Sequence, residues 1–118
     1  MVWIVDTEQW PRAALRAELI ERGYDAAGYI QLGEVLALLR SPRSQDKPCA
    51  IILDLRGQEI NEEVLQEMSQ SKIPTIFLVG TPEVNDPAVR SFKAAAVLRR
   101  PVTLGEIADQ LKEILARQ

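Results

Sequence analysis

Short apolar runs without helical spacing recur along the chain and predict buried strands. The clearest, residues 49–54, reads CAIILD and ends in a carboxylate. Such runs are typical of parallel strands that are covered on both faces of a sheet. In chain order, the predicted strands are residues 2–6, 24–30, 49–54, 74–80 and 94–99. The second of these is weak and contains Gly28, so we expect it near a sheet edge.

Segments with apolar residues three and four positions apart lie between these runs and predict helices. The first helix is predicted from Pro11 to Gly23. The others are predicted at about 31–40, after a cap at Asn61, from Asp86-Pro87 to about Lys93, and after a capping box formed by Thr103 and Glu106. The polar stretch 41–48 is predicted to be a loop. Alternation of strand and helix predicts an α/β fold with helices on both faces of a parallel sheet.

Length and charge narrow the functional classes. The chain has 118 residues, 47% of them apolar and 26% charged, so we expect one domain, residues 1–118, with a single core. A net charge of -3 lacks the basic excess of nucleic-acid binders, so no direct nucleic-acid partner is expected. No apolar run is long enough for a membrane span, and the N-terminus lacks a signal-peptide pattern. The sequence therefore predicts a cytoplasmic protein with no membrane contact.

Two residue types that often carry chemistry are scarce. Histidine is absent, which removes imidazole bases, histidine metal sites and phosphohistidine chemistry from this chain. Cys49 is the only cysteine, and its place in an apolar run predicts a buried thiol that is not reactive.

Charged residues follow several predicted strands at the same end. Asp6 and Asp54 close the first and third strands, and Arg100 follows the last. The carboxyl ends of parallel strands form the crevice in which α/β proteins bind ligands. Two carboxylates there suit Mg²⁺, and an opposing cation would neutralise a phosphoryl group.

Four segments, VWIVD, IILDLR, PTIFLVG and AAAVLRRPV, occur in the order and spacing of the response-regulator receiver domain, which the chain resembles over its 118 residues. The resemblance implies a flavodoxin-like (CheY-like) (βα)5 fold, a doubly wound five-stranded parallel sheet of order 2-1-3-4-5. It implies Asp54 as phosphoacceptor, with Mg²⁺ held by Asp6, Asp54 and the backbone carbonyl of Arg56. It further implies a signalling role without enzyme activity, a sensor histidine kinase or other signalling protein as partner, and an effector domain in a longer chain.

Several positions depart from the family's pattern. Thr7 replaces a second acid, Val79 the switch hydroxyl, Val97 the switch aromatic residue, Arg100 the lysine before proline, and Gly57-Gln58 a Met-Pro pair. With one carboxylate fewer, Mg²⁺ is expected to bind weakly unless Glu8 supplies an oxygen. Val79 cannot donate a hydrogen bond to a phosphoryl oxygen. The planar guanidinium of Arg100 predicts a standing ion pair with Asp54 or Asp6.

Four residues in or near the predicted crevice are expected to have structural roles. Glu8 is expected in the first turn of a helix, and Thr7 is expected to act as a helix cap. Arg100 is expected to form a structural ion pair. Trp10 is expected to be a packing or interface residue.

Two functional hypotheses follow. The favoured one is a pseudo-receiver of phosphorelay signalling, which acts through protein–protein contacts and is impaired in phosphorylation-driven switching. The alternative is a conventional receiver, phosphorylated on Asp54 by a sensor histidine kinase with Mg²⁺. Flavin, P-loop and dinucleotide sites are not favoured, because no glycine-rich phosphate loop follows the first strand. Cobalamin and phosphocarrier modules would normally bring a histidine or cysteine to the loop.

Overall fold

The computed structural model describes residues 1–41 and 47–118. Residues 42–46, most of the predicted 41–48 loop, lie outside the described part. None of the helices within it is long and apolar enough to cross a membrane.

Five strands in the described part form one parallel sheet. They are β1 (Val2–Val5), β2 (Ala26–Tyr29), β3 (Ala50–Asp54), β4 (Thr75–Val79) and β5 (Ala96–Arg99). The order is β2-β1-β3-β4-β5, and each neighbouring pair is parallel. The predicted fold class and strand order are confirmed, and the weak second strand lies at an edge as expected.

Helices cover both faces of this sheet. They are α1 (Gln9–Glu21), α2 (Leu32–Leu39), α3 (Glu62–Gln70), α4 (Thr81–Val84), α5 (Pro87–Ser91) and α6 (Leu104–Ala116). The side chains of Asn61, Asp86 and Thr103 accept the N–H groups of Val64, Ala88 and Glu106, so these predicted N-caps are confirmed. For the capping box predicted with Glu106, this confirms the half made by the Thr103 side chain. Helix α4 was not predicted, and α1 begins two residues before Pro11.

The sheet divides the hydrophobic core into two layers. Trp3 and Val5 point towards the face covered by α2, α3 and α5, whereas Val2 and Ile4 point towards α1 and α6. This alternation follows from the period of two along a strand. Full burial of one aliphatic side chain stabilises the fold by about 1.5–3 kcal/mol. The predicted single core is therefore two layers that share the central strands.

Two side chains are more exposed than their sequence context suggested. The predicted burial of Cys49 is wrong, because β3 begins one residue later, at Ala50, and leaves the cysteine exposed. Trp10 is 82% exposed in the first turn of α1. Packing within the chain is therefore excluded for Trp10, and its role at an interface stays a prediction.

The strand register brings the predicted acids to one edge of the sheet. Val5 of β1 pairs with Leu53 of β3, so the next residues on each chain segment, Asp6 and Asp54, emerge on neighbouring strands. The N–H of Arg100 donates to the carbonyl of Val79 at the end of β4. The ends of β1, β3, β4 and β5 thus form one crevice.

Candidate functional site

Two buried carboxylates lie at the carboxyl edge of the central strands. Asp6 and Asp54 are only 4% and 3% exposed. Each accepts the backbone N–H two residues further along: Glu8 donates to Asp6 Oδ1 at 2.9 Å, and Arg56 donates to Asp54 Oδ1 at 3.0 Å. Aspartate side chains commonly close local turns in this way. Each carboxylate is therefore oriented by its own loop.

Arg100 reaches across the crevice from the end of β5. Its Nη1 donates to Asp54 Oδ1 at 2.5 Å and lies 3.4 Å from the carbonyl oxygen of Leu78. Its Nη2 donates to Glu83 Oε1 at 3.0 Å. The predicted ion pair is confirmed with Asp54, the first of the two carboxylates proposed for it.

Glu83 is a member of the site that sequence reasoning missed. It lies in the four-residue helix α4, and its carboxylate also accepts the N–H of Gly80 at 3.4 Å. A Cβ atom at residue 80 would lie 3.0 Å from Arg100 Nη2, so the glycine leaves room for the guanidinium. The available signal was an acid just beyond a strand end, but Pro82 hid the short helix that positions it.

The Arg56 side chain is the second missed member, since only its backbone carbonyl had been considered. Its Nη2 lies 3.3 Å from Asp6 Oδ1 and 3.5 Å from Asp54 Oδ2. Its buried Nε lies 2.5 Å from Glu8 Oε2 without a hydrogen-bonding direction, so we regard that contact as Coulombic. A basic residue two positions after Asp54 was the available signal, because alternate residues of an extended segment face the same side.

The loop after β3 is held by Thr7 and Gly57. The Thr7 hydroxyl donates to the carbonyl oxygen of Arg56 at 3.2 Å. Gly57 has a φ of 75°, a left-handed conformation that glycine adopts easily, and a Cβ there would lie 2.9 Å from Thr7 Oγ1. The predicted helix-capping role of Thr7 is wrong, because the N-cap residue of α1 is Glu8. Glu8, which was expected in the first turn, thus lies one residue before it.

Gln58 joins the same loop to the segment between β2 and α2. Its side-chain oxygen accepts the N–H of Leu32 and its amide nitrogen donates to the carbonyl of Ile30, both at 2.9 Å. The Gly57-Gln58 pair therefore has a structural use of its own.

Burial and the neighbouring opposite charges shift the pKa values of Asp54 and Arg56 in opposite directions. Burial raises the pKa of Asp54 above its usual range, and this effect outweighs the lowering by the Arg56 N–H and by Arg100. Burial alone would lower the pKa of Arg56, but the carboxylates of Asp54, Asp6 and Glu8 raise it further than burial lowers it. The guanidinium is thus firmly charged.

The arrangement does not fit a divalent ion. In residues 1–41 and 47–118, no three His, Cys, Asp or Glu side chains are grouped so as to hold a metal ion. The guanidinium of Arg56 lies between Asp6, Glu8 and Asp54, and its carbonyl already accepts the Thr7 hydroxyl. Mg²⁺ needs near-octahedral oxygen ligands at about 2.0–2.1 Å. The expected Mg²⁺ ligands are therefore arranged around an organic cation.

The two expected switch positions lie in different environments. Val79 is fully buried at the end of β4, whereas Val97 of the edge strand β5 is 51% exposed. The nearby hydroxyl of Thr81 accepts a hydrogen bond from Arg99 Nη2 at 3.1 Å. Neither Val79 nor Val97 has a hydroxyl or an aromatic ring with which to respond to a phosphoryl group.

No protein-family model and no curated protein matches the chain. Solved structures do. The chain is similar to the receiver domain of NtrX from Brucella abortus, with a TM-score of 0.80 and 16% identity over 100% of both chains. A response regulator receiver domain protein from Clostridium thermocellum gives a TM-score of 0.79 at 17% identity, over 98% of this chain and 94% of that one.

A putative response regulator from Chloroflexus aurantiacus J-10-fl is similar over 98% of this chain and 97% of its own, with a TM-score of 0.77 and 23% identity. In the longer structure of NtrX in complex with ADP, the matching part is 27% of that chain. The chain therefore has the fold of response-regulator receiver domains.

Proposed function

We propose that this chain, which has the receiver-domain fold, is a two-component signalling module that acts through protein–protein contacts and is not switched by phosphorylation of Asp54. The observation that carries the proposal is the bridge made by Arg100. One guanidinium binds the buried Asp54 at 2.5 Å and Glu83 of α4 at 3.0 Å. The end of β3 and helix α4, which follows β4, are thus already joined in the unmodified chain.

The charges of the crevice argue against a phosphoryl group. The guanidiniums of Arg56 and Arg100 are already paired with the carboxylates of the crevice, which belong to Asp6, Glu8, Asp54 and Glu83. A phosphoryl group adds about 1.5 to 2 negative charges at neutral pH. Because the cations that would neutralise it are engaged, that charge would have to displace existing ion pairs.

The crevice also lacks the usual means of responding to phosphorylation. A switch needs a group whose contacts change when the new charge arrives. Val79 supplies no hydroxyl at the end of β4, and Arg100 has already made its contact with α4. We therefore expect that neither Val79 nor Arg100 links phosphorylation of Asp54 to a movement of α4.

The proposed partners follow from the receiver-like character. We infer a sensor histidine kinase or another signalling protein as partner, a cytoplasmic location, and no catalytic turnover by this chain. The longer NtrX chains, in which the matching part is 27% of the length, support an effector domain elsewhere in a longer chain.

The test is incubation with acetyl phosphate and Mg²⁺ followed by intact-mass spectrometry. We expect no stoichiometric phosphoryl adduct on this chain, whereas a conventional receiver domain in the same tube should be modified. A stoichiometric adduct that disappears in Asp54→Asn would overturn the proposal and favour a conventional receiver.

A further inference from the structure

We propose that the guanidinium of Arg56 is the resident cation of the acidic pocket, so that removing this side chain creates a divalent-cation site that the native chain lacks. The inference deepens the proposed function and rests on it for the identity of the site. Metal binding can be measured without any phosphodonor, so the two proposals can fail separately.

The first step is the position of the guanidinium among the acids. Arg56 Nη2 lies 3.3 Å from Asp6 Oδ1 and 3.5 Å from Asp54 Oδ2, and Nε lies 2.5 Å from Glu8 Oε2. Three carboxylates from two loops therefore face one cation. A metal ion bound by these oxygens would have to occupy the same space.

The second step is that the backbone of Arg56 is fixed on both sides. Its N–H donates to Asp54 Oδ1 at 3.0 Å, and its carbonyl accepts the Thr7 hydroxyl at 3.2 Å. The next residue, Gly57, turns the chain with a φ of 75°. The side chain therefore leaves the backbone in a direction set by the loop, towards the acids.

The third step is burial. Asp6 and Asp54 are 4% and 3% exposed, so water screens their charges poorly. Buried carboxylates need a positive partner, and Arg100 binds Asp54 while Arg56 supplies the cation that contacts Asp6 and Glu8. Without Arg56 the oxygens of Asp6 and Asp54 would have no cation between them, and Mg²⁺ is usually held by one or two carboxylates together with several waters.

The experiment compares Mg²⁺ binding by the native chain, Arg56→Ala and Arg22→Ala, by isothermal titration calorimetry. Arg22 is a matched control, because it pairs with two acids, Glu18 at 2.9 Å and Asp109 at 2.6 Å, away from the site. We expect Arg56→Ala to bind Mg²⁺ at least about tenfold more tightly than the native chain, which corresponds to about 1.4 kcal/mol. Arg22→Ala should match the native chain.

A second readout is the thermal midpoint with and without Mg²⁺, since a ligand that binds only the folded state raises it. The midpoint of Arg56→Ala should rise with Mg²⁺, and that of the native chain should not. If Arg56→Ala does not fold, Arg56→Gln replaces it, because glutamine keeps much of the length of the side chain without its charge. Native binding as tight as that of the variant, or a variant that Mg²⁺ does not bind, would overturn the proposal.

Discussion

Arg100 binds two carboxylates at once because its guanidinium is planar and carries N–H groups in fixed directions. Asp54 and Glu83 approach different nitrogens of Arg100. A lysine ammonium is a compact charge on a single nitrogen, so it would not bind both carboxylates in these positions. Asp54 is almost fully buried, and removing one partner of a buried ion pair costs about 3–5 kcal/mol. At the scale of single residues, the site is thus stabilised by the geometry of one side chain.

The raised pKa of Asp54 predicts how the free energy of unfolding depends on pH. Burial raises this pKa above the usual value of 3.8, so the carboxyl binds its proton more tightly in the folded than in the unfolded chain. The stability that this adds is fully present below the unfolded value and is lost as pH rises through the folded pKa. We expect the free energy of unfolding of the native chain, relative to Asp54→Asn, to fall as pH rises from 3.8 through the folded pKa.

Urea unfolding of both proteins across this pH range measures the difference. Asparagine keeps an oxygen that can accept from Arg100 and from the Arg56 N–H, so the comparison isolates the charge. A difference that grows with pH would mean that Arg100 dominates over burial and lowers the pKa of Asp54.

The short helix α4 depends on the site more than the longer helices do. It spans only Thr81–Val84, it has no buried residue, and Glu83 is the residue through which it meets Arg100. Helices this short are not stable from their own hydrogen bonds. At the scale of elements, the ion pair therefore adds to the only partly buried packing of Val84 and to the hydrogen bond from Arg99 to Thr81 in holding α4.

Replacing Glu83 with alanine should loosen α4 without unfolding the protein. Alanine suits a helix, so the loss is that of the hydrogen bonds that Glu83 accepts from Arg100 and, more weakly, from the Gly80 N–H. We expect the amide of Val84, which donates to Gly80, to exchange its hydrogen about fivefold faster or more, corresponding to roughly 1 kcal/mol.

Hydrogen exchange measured by NMR checks this at single residues. Glu113→Ala removes an exposed acid from α6 and is the matched control, for which the Val84 rate should stay unchanged. An unchanged rate in Glu83→Ala would show that the ion pair with Arg100 does not hold α4.

Contacts of the site that depend on the positions of strand ends could be predicted from the sequence. Fewer of the contacts that depend on loop conformation could be. Asp54 and Arg100 close or follow strands of one parallel sheet, so their meeting follows from topology. The Arg56 side chain depends instead on the φ of Gly57 and on the Thr7 hydroxyl, neither of which a hydrophobic pattern encodes. The prediction that Cys49 is buried was wrong because an apolar run can extend one residue beyond the strand.

At the scale of the whole molecule, the sheet makes one cooperative unit of two hydrophobic layers. The central strands alternate side chains between the layers, so β1 contributes Trp3 to one and Ile4 to the other. Damage to one layer changes the backbone on which the other is built. We therefore expect the layers to unfold together.

Leu111→Ala tests this cooperativity. Leu111 is fully buried in the layer of α1 and α6, and its truncation should cost about 2–5 kcal/mol. Trp3 lies in the opposite layer, with its ring 5.5 Å from that of Tyr29, and reports on that layer by fluorescence. The exposed Trp10 is replaced by phenylalanine in all proteins compared, so that Trp3 alone is observed. Far-UV circular dichroism and Trp3 fluorescence should shift to the same lower urea midpoint.

The matched control is Leu38→Ala, since Leu38 is 41% exposed on α2 and its truncation should cost about 1 kcal/mol or less. Cooperativity requires that the two signals of Leu111→Ala coincide at every urea concentration, because β1, β3 and β4 cannot lose one layer and keep the other. A Trp3 transition that stays at the native midpoint while the circular dichroism shifts would show that the layers unfold independently.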